Sequence, residues 1–289
     1  QRMPLPMTLA EQRFLHRNQL PASYLAMAEQ WFQPLLDDFS LPSQISFGPR
    51  VILINGSQGS GKSTLADYLC TALKDRQGMH CVALSLDDFY LTRTQRMVLA
   101  REVHPLLATR GVPGTHDIPL AAATLKSLIR GQDETLITRF DKSTDDRYPI
   151  SDCQTISGPV GLIILEGWCV GATAQSNEAL ETAVNKLEQE EDAIGLWRAY
   201  ANNALGGAYQ RLFKMADTLV MLRAPSFDAI FEWRLEQERK MVAPLMTETE
   251  VLRFVQYYQR LTEHCLFELP KRADHLFHLN FERQVIGSQ

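Results

Sequence analysis

The chain has 289 residues, of which 45% are hydrophobic and 22% are charged, and its formal net charge at pH 7 is −5. These proportions are those of an ordinary globular protein and exclude the disordered, collagen-like and strongly basic classes. Nucleic-acid-binding surfaces usually carry a basic stripe. The sequence therefore predicts no nucleic-acid partner.

Cysteine content and hydropathy indicate a compartment. The number of cysteines, five, is odd, and no C-x-x-C pair occurs among them, so we expect reduced thiols rather than a disulfide framework or a zinc site. No apolar run approaches the roughly 18 residues of a membrane span. The start, Gln1 to Pro4, lacks the apolar core of a signal peptide. We therefore expect a cytoplasmic protein without a membrane partner.

Residues 1–47 form a predicted N-terminal helical extension that precedes the main domain, 48–289. Within it, apolar side chains recur at helical spacing from Leu25 to Phe39. Pro34 lies inside this run and should kink or shorten the helix. No residue of the extension indicates any chemistry.

The main domain is organised around the stretch from Val51 to Thr64. Residues 51–54 are apolar and mostly β-branched, which predicts a strand that is buried on both faces. A turn follows that fits G-x-x-x-x-G-K-[ST] without a mismatch, and a helical run begins at Leu65. The alternative, a glycine-rich turn without a ligand, is disfavoured because strand, loop and helix occur together.

This layout suits a polyphosphate. Glycines allow successive backbone N–H groups to converge on phosphate oxygens, and the helix N-terminus adds its positive dipole end. Lys62 would contact the β and γ phosphates and the Ser63 hydroxyl would bind Mg²⁺. The predicted cofactors are ATP and Mg²⁺, and the predicted nucleotide-binding residues are Gly56, Ser57, Gln58, Gly59, Ser60, Gly61, Lys62, Ser63 and Thr64.

Beyond this loop, strands and helices alternate, which predicts an α/β fold: a three-layer P-loop NTPase-type parallel sheet flanked by helices. The predicted elements are a helix over 120–129 and strands over 80–86, 161–165, 218–222 and 275–280. A helical insertion is expected over about 172–213. Its acidic run, Glu188 to Asp192, predicts a solvated helix face.

Two carboxylates follow buried strands, where ligands of open α/β sheets bind. Asp87 follows the second strand and is the predicted catalytic residue, a base that orients the acceptor hydroxyl at the tip of the strand neighbouring the phosphate loop. The alternative is that Asp87 or Asp88 caps the next helix. Glu166 ends the third strand and is predicted to bind Mg²⁺ with Ser63, directly or through water.

Six motifs occur in order along the chain: GSQGSGKST, SLDDFYLT, RGVPGTHD, RFDKS, LEGWCVG and EWRLEQE. From about Val51 to the C-terminus the sequence resembles the D-glycerate 3-kinase family of plants, fungi and bacteria, within the P-loop kinases that include phosphoribulokinase, uridine kinase and pantothenate kinase. The resemblance implies ATP-dependent phosphorylation of the 3-hydroxyl of D-glycerate to 3-phosphoglycerate. It also implies that Asp87 is the catalytic acid at the end of the second strand and Glu166 the metal-associated acid.

An acidic small-molecule acceptor requires cationic side chains more than apolar volume. Five residues in two turn-rich segments are therefore predicted to bind substrate, although surface ion pairs are the alternative for the basic ones and a structural role for the histidine: Arg110, His116, Arg139, Lys142 and Arg147. Asp117 is expected to cap a helix rather than to bind a ligand.

Arg234 lies on a predicted helix, Phe227 to Lys240. In the kinase group named above, a lid places arginines over the transferring phosphates, where they stabilise charge in the transition state, so Arg234 joins Asp87 and Lys62 as a predicted catalytic residue. The alternative is an i,i+4 ion pair with Glu238.

Other functions remain possible from the sequence. Another small acceptor, such as pantothenate, a nucleoside or a sugar phosphate, is the first alternative, and a nucleoside site would need aromatic stacking faces. A non-catalytic nucleotide-binding regulator is the second. A GTPase would need an N-K-x-D motif after a strand, and the near match at 185–188 lies in a polar helical run. The motifs H-R-D and D-F-G of protein kinases do not occur.

Overall fold

The computed structural model describes residues 7–41, 48–240 and 246–289. Eleven α-helices lie in these ranges: α1 (Leu9–Arg17), α2 (Ser23–Phe39), α3 (Lys62–Gln77), α4 (Arg93–Glu102), α5 (Ile118–Ile129), α6 (Asn177–Glu181), α7 (Lys186–Glu191), α8 (Leu196–Ala204), α9 (Gln210–Phe213), α10 (Phe227–Arg239) and α11 (Glu248–Glu268). A π-helical turn, Leu205–Tyr209, joins α8 to α9.

The same ranges hold ten strands: β1 (Arg50–Gly56), β2 (Cys81–Ser85), β3 (Glu134–Ile137), β4 (Phe140–Asp141), β5 (Asp146–Arg147), β6 (Gln154–Ser157), β7 (Leu162–Gly167), β8 (Thr218–Arg223), β9 (His275–Leu279) and β10 (Val285–Ser288). Six of them form the central sheet in the order β10-β9-β8-β1-β7-β2. Five of the six are parallel and β10 is antiparallel. The predicted parallel sheet flanked by helices is confirmed.

The position of β7 corrects one expectation. This strand lies between β1 and β2 and pairs with both, with Leu53 opposite Leu165 and Leu165 opposite Leu84. The strand that precedes Asp87 is therefore not the neighbour of the strand that precedes the phosphate loop. Glu166, at the end of β7, lies between the two.

Alternate residues of β1 pack on opposite faces of the sheet, because successive side chains of a strand point in opposite directions. Leu53 belongs to one core, which includes side chains of α5 and α11. Ile52 and Ile54 belong to the other, which includes side chains of α2, α3 and α10. The sheet is thus buried on both faces, as the apolar runs predicted.

The predicted main-sheet strands all occur, with ends that differ by one or two residues. The helix predicted over 25–39 extends over Ser23–Phe39 with Pro34 inside it, so the proline does not shorten it. Asp117 caps α5 as expected, and its side chain accepts a hydrogen bond from the Leu120 N–H. The small sheets β3–β6 and β4–β5, the edge strand β10 and the 21-residue helix α11 were not predicted.

The acidic run forms the solvated face that its charge predicted only in part. Glu190 and Glu191 are exposed, but two other acids of the run are buried. Glu188 and Asp192 are 0% and 1% exposed. Arg260 forms an ion pair with Glu188 at 2.7 Å, and Arg198 forms one with Asp192 at 3.1 Å. The arginines come from α11 and α8. The prediction was therefore wrong for these two acids, whose partners lie elsewhere in the chain.

None of the helices in the described ranges combines the length and the apolar character needed to cross a membrane.

Candidate active site

The phosphate loop connects β1 to α3 in the geometry that a polyphosphate requires. Gly59 and Gly61 have φ values of +78° and +88°, in the left-handed region that favours glycine. Gly61 is the N-cap of α3, so the loop leads directly into the helix N-terminus. The buried hydroxyls of Ser57 and Ser60 have no hydrogen-bond partner among the described residues. The loop thus has polar groups available for a ligand.

Ser63, Lys62 and Glu166 lie together at the start of α3. The Ser63 hydroxyl donates a hydrogen bond to Glu166 Oε1 at 2.8 Å, and Lys62 Nζ lies 3.9 Å from Oε2. Glu166 is 5% exposed, and Oε2 accepts no hydrogen bond from any described residue. A buried carboxylate oxygen without a donor is costly unless a cation or a donor binds it.

Asp87 lies in a short 3₁₀ turn, Leu86–Phe89, directly after β2. Its carboxylate accepts hydrogen bonds from Lys142 Nζ at 2.7 Å and from the Tyr90 hydroxyl at 3.1 Å. Burial raises the pKa of Asp87, but the positive charges of Lys142 and Lys62 outweigh it, and the net pKa lies below the usual value. Asp87 is therefore ionised at neutral pH.

The capping alternative for the two aspartates does not hold. Ser85 caps the turn, and its hydroxyl accepts from the Asp87 N–H at 3.3 Å. The Asp88 carboxylate instead contacts Arg139 Nη1 at 2.6 Å and the Phe140 N–H at 3.3 Å. Asp88 anchors a neighbouring segment, whereas Asp87 faces an open cavity.

This cavity, called the acceptor cavity below, has a volume of about 320 Å³. Its residues come from the phosphate loop, the turn after β2, two loops and the helices α10 and α11. They are Gln58, Gly59, Lys62, Asp87, Tyr90, Arg110, Lys142, Arg234, Gln237, Phe254 and Tyr258. Four of them are cationic and one is an acid.

The structure brings together the three predicted catalytic residues, Asp87, Lys62 and Arg234, on the wall of the acceptor cavity. Arg234 also forms the ion pair that was its alternative, with Glu238 Oε2 at 2.9 Å, and lies over the Phe254 ring at 5.4 Å. The two readings are compatible, because the ion pair holds the guanidinium at the cavity wall.

Two of the predicted substrate-binding residues line the same cavity. Arg110 forms an ion pair with Asp145 and lies over the Phe140 ring at 5.6 Å. Lys142 lies in the turn between β4 and β5 and lines the cavity from there. Its side chain is 60% exposed. Lys142 contacts Asp87 directly, at 2.7 Å, and Arg110 lines the same cavity.

Arg139 and Arg147 do not line the acceptor cavity. Arg139 pairs with Asp88, and Arg147 donates to Asp117 Oδ2 at 3.0 Å and to the Tyr90 carbonyl at 2.9 Å. Together they fix both ends of the β4–β5 segment that carries Lys142. Their contacts correspond to the structural alternative considered for them.

His116 lies behind the cavity wall. Its ring stacks on Tyr90 with centroids 4.3 Å apart, and Nδ1 lies 2.6 Å from the Tyr209 hydroxyl. Burial lowers its pKa to about 4, so the ring is neutral at pH 7. Nε2 is buried and has no hydrogen-bond partner in the described ranges.

Sequence reasoning missed the wall that α11 provides. Phe254 and Tyr258 are four residues apart on one face of this helix, and burial raises the pKa of Tyr258. Two signals could have revealed the helix: a capping box formed by Thr247 and Glu250, and buried residues at helical spacing. Nothing in that spacing distinguishes a residue at a cavity from one in the core.

The parallel sheet, the phosphate loop at the end of β1 and the carboxylates at the ends of β2 and β7 define a P-loop kinase. No family model matches the chain. An uncharacterized kinase of Schizosaccharomyces pombe, mug58, is 35% identical over 222 residues, covering 73% of this chain and 78% of the relative. The chloroplastic D-glycerate 3-kinase of Arabidopsis thaliana is 30% identical over 226 residues, covering 73% of this chain and 46% of the relative.

Among solved structures, a D-glycerate 3-kinase of Cryptococcus neoformans is similar, with a TM-score of 0.70 and 26% identity. The similarity covers 98% of this chain and 99% of that one. The chain belongs to the D-glycerate 3-kinase family of P-loop kinases.

Proposed function

We propose that this protein transfers the γ-phosphoryl group of ATP to the 3-hydroxyl of D-glycerate and releases 3-phosphoglycerate and ADP. The observation that carries the proposal is the composition of the acceptor cavity. One carboxylate, Asp87, faces a space that also contacts Lys62, Arg110, Lys142 and Arg234 beside the phosphate loop. The names of the relatives support the same acceptor.

The two sides of the acceptor cavity would have different roles. On the phosphate-loop side, Lys62 and Arg234 would neutralise charge on the transferring group, which spreads over the equatorial oxygens of a loose transition state. On the other side, Asp87 would accept a hydrogen bond from the attacking hydroxyl and hold it in line. Because little proton removal is needed before transfer, positioning is the main contribution of Asp87.

The carboxylate of the acceptor needs its own cations. Arg110 presents a planar guanidinium, which can bind a carboxylate through two parallel hydrogen bonds, and Lys142 adds a point charge. The ion pair of Lys142 with Asp87 would be exchanged for contact with substrate when glycerate binds. Arg139 and Arg147 would position this segment, and His116 would support Tyr90 rather than touch the substrate.

The residues at the start of α3 fit a Mg²⁺ ion that is held mainly by phosphate and water. Mg²⁺ in such sites takes one or two protein oxygens in addition to phosphate oxygens. The buried Glu166 Oε2, which accepts no hydrogen bond from the described residues, and the Ser63 hydroxyl beside Oε1 offer this donor set. When bound, the ion would neutralise charge on the β and γ phosphates.

The test is ADP release with D-glycerate, L-glycerate, pantothenate and uridine offered separately at equal concentration. D-glycerate should give the highest kcat/KM, and phosphorus NMR of the product should show a 3-phosphate ester. A higher kcat/KM with pantothenate or uridine would establish another acceptor. Slow ADP release that no acceptor accelerates would favour the alternative of a non-catalytic nucleotide-binding regulator.

The four cationic side chains of the acceptor cavity favour an anionic acceptor over an uncharged nucleoside.

A cytoplasmic location also belongs to this proposal. All five cysteines are free thiols in the structure, as suits a reducing compartment.

A further inference from the structure

A second cavity, of about 610 Å³, lies on the other side of the phosphate loop, and Gly59 borders both. It is called the outer cavity below. Three parts of the chain form it: the phosphate loop with the start of α3, the ends of β8 and β9 with the turn into β10, and the region around the start of α2. The last belongs to the N-terminal arm, which is α1, α2 and the residues between them, 9–39. The residues are Leu20, Pro21, Ser23, Tyr24, Met27, Phe32, Gly59, Ser60, Gly61, Thr64, Leu222, Leu279, Glu282, Arg283, Gln284 and Val285.

The arm is held against the phosphate-loop helix by specific contacts. Arg17, at the end of α1, donates to both carboxylate oxygens of Asp67 on α3, at 2.6 and 2.7 Å. The Asn18 side chain donates to the same carboxylate at 2.6 Å. The wall that the arm provides is therefore tied to the helix whose N-terminus begins at the phosphate loop.

Aromatic packing fixes the arm further. Tyr24 lies 5.6 Å from Phe14 and 6.2 Å from Tyr68 between ring centroids, and Phe32 lies 5.1 Å from Phe277 of β9. Phe14 and Phe32 are buried in the core that covers this face of the sheet. The arm residues that face the outer cavity are thus presented by a packed surface.

The chemistry of the outer cavity differs from that of the acceptor cavity. Its arm side is apolar and aromatic. Among the described residues that line it, Arg283 is the one basic side chain, against four in the acceptor cavity. Arg283 forms an ion pair with Glu236 and lies over the Trp233 ring at 5.6 Å. This lining favours a ligand group of little charge. A flat heteroaromatic ring and a sugar need apolar faces with a few hydrogen-bonding groups at the edges, which Ser23 and Gln284 provide.

We propose that the N-terminal arm, through Tyr24, Met27 and Leu20, forms one wall of the nucleoside pocket. The base and ribose of the nucleotide lie between the arm and the β9–β10 turn, while the triphosphate follows the phosphate loop from Thr64 toward Lys62. This inference rests on the proposed use of a nucleoside triphosphate, and it gives the arm a direct role in nucleotide affinity.

The test is a substitution on the arm that fills part of the outer cavity. Met27→Trp adds volume to the wall, and Glu29→Trp on the opposite, exposed side of α2 is the matched control. Calorimetry measures binding of a non-hydrolysable ATP analogue and of inorganic tripolyphosphate. Met27→Trp should weaken the analogue at least tenfold and change tripolyphosphate less than twofold, with Glu29→Trp like wild type. Equal weakening of both ligands, or of neither, would overturn the inference.

A second pair of variants addresses folding. Tyr24→Ala removes an aromatic wall and Tyr24→Phe keeps it, and melting temperatures show whether either variant loses structure. The analogue should bind Tyr24→Phe normally and Tyr24→Ala more weakly, with tripolyphosphate again unchanged. Normal binding of the analogue by a folded Tyr24→Ala variant would contradict the role of the arm.

These outcomes are separate from the proposed function. If the wild-type protein binds the ATP analogue but does not phosphorylate glycerate, the acceptor is wrong and the nucleoside pocket still stands. If the protein phosphorylates glycerate and Met27→Trp leaves the KM for ATP unchanged, the pocket is wrong and the proposed function still stands.

Discussion

Asp87 is the residue on which the proposed chemistry depends most. Replacing it by alanine removes the hydrogen-bond acceptor that orients the attacking hydroxyl, and general-base groups typically contribute about 10²–10⁴-fold to turnover. We expect Asp87→Ala to lower kcat by a factor in this range while ATP binding remains nearly unchanged. Steady-state kinetics and calorimetry of an ATP analogue measure the two quantities.

Asp133→Ala is the control for Asp87→Ala, because Asp133 is an exposed aspartate outside the acceptor cavity. Its kcat should equal that of the wild type. An Asp87→Ala variant with wild-type turnover would remove Asp87 from the mechanism.

Lys62 should act on the transition state more than on the ground state, because charge develops on the oxygens of the transferring phosphoryl group. Lys62→Ala should therefore lower kcat by about 10²-fold or more, with a smaller change in the KM for ATP. A change in KM alone would show that the side chain contributes only to binding.

His116 makes stability depend on pH in the acid range. Its pKa is about 4 in the folded protein because burial disfavours the charged ring, against about 6.5 in an unfolded chain. Below pH 6.5 the unfolded chain binds a proton that the folded protein does not, so stability falls as pH falls from 6.5 to 4 and this contribution levels off below 4.

In the His116→Gln variant, the loss of stability that His116 causes as the pH falls should disappear. Between pH 7 and pH 5, the free energy of unfolding of the wild type should fall by about 2 kcal/mol more than that of the variant. Urea titrations of both proteins at the two pH values measure the difference. Equal losses in the two proteins would mean that His116 is protonated in the folded state.

At the scale of elements, the β4–β5 segment positions Lys142 through ion pairs at its ends. Arg139→Ala removes the partner of Asp88, whose pKa is raised by burial and partly lowered again by Arg139. Misplacing a substrate-binding group by about 1 Å can cost about 10²-fold. We expect Arg139→Ala to lower kcat/KM for the acceptor by roughly ten- to a hundredfold and to leave the KM for ATP unchanged.

Arg130→Ala is the control for this element, since Arg130 is exposed at the end of α5. Kinetics at saturating ATP with varied acceptor separate the two parameters. If Arg139→Ala kept the wild-type kcat/KM for the acceptor, the segment would not position Lys142.

The elements that sequence reasoning predicted are those with strong local signals. β1 and β7 are continuous apolar runs, and the phosphate loop has a motif whose glycines are required by its backbone. β10 could not be predicted, because four residues with a glycine give almost no periodic signal. The burial of Glu188 depends on Arg260, 72 positions away, and a local charge pattern contains no such information.

The candidate site likewise contains residues that local motifs predict and residues whose placement depends on long-range contacts. Lys62, Asp87, Glu166 and Arg234 follow recognisable motifs. The structure places the first three near the ends of parallel strands and Arg234 on α10. Which of the five predicted substrate-binding residues reach the acceptor cavity depends on pairings between distant segments, such as Arg139 with Asp88. The order of strands in the sheet, with β7 between β1 and β2, likewise follows from long-range contacts.

At the scale of the whole molecule, the phosphate loop joins the two cores. β1 contributes side chains to both faces of the sheet, and α3, which begins in the loop, packs in one of them. A ligand on the loop therefore stabilises elements that belong to both cores. Because the cores share the central sheet, we expect them to unfold together in a single transition.

Nucleotide binding should raise the midpoint temperature of that single unfolding transition without splitting it. A ligand at 100 times its Kd that binds only the folded state adds about 2.7 kcal/mol. For a chain of this length that increment corresponds to a rise in Tm of about 5 °C. Differential scanning calorimetry with a non-hydrolysable ATP analogue and Mg²⁺ measures the shift, and Lys62→Ala at the same ligand concentration should show a smaller one. A thermogram that splits, with only one part shifted by the ligand, would show that the two cores do not share the stabilisation.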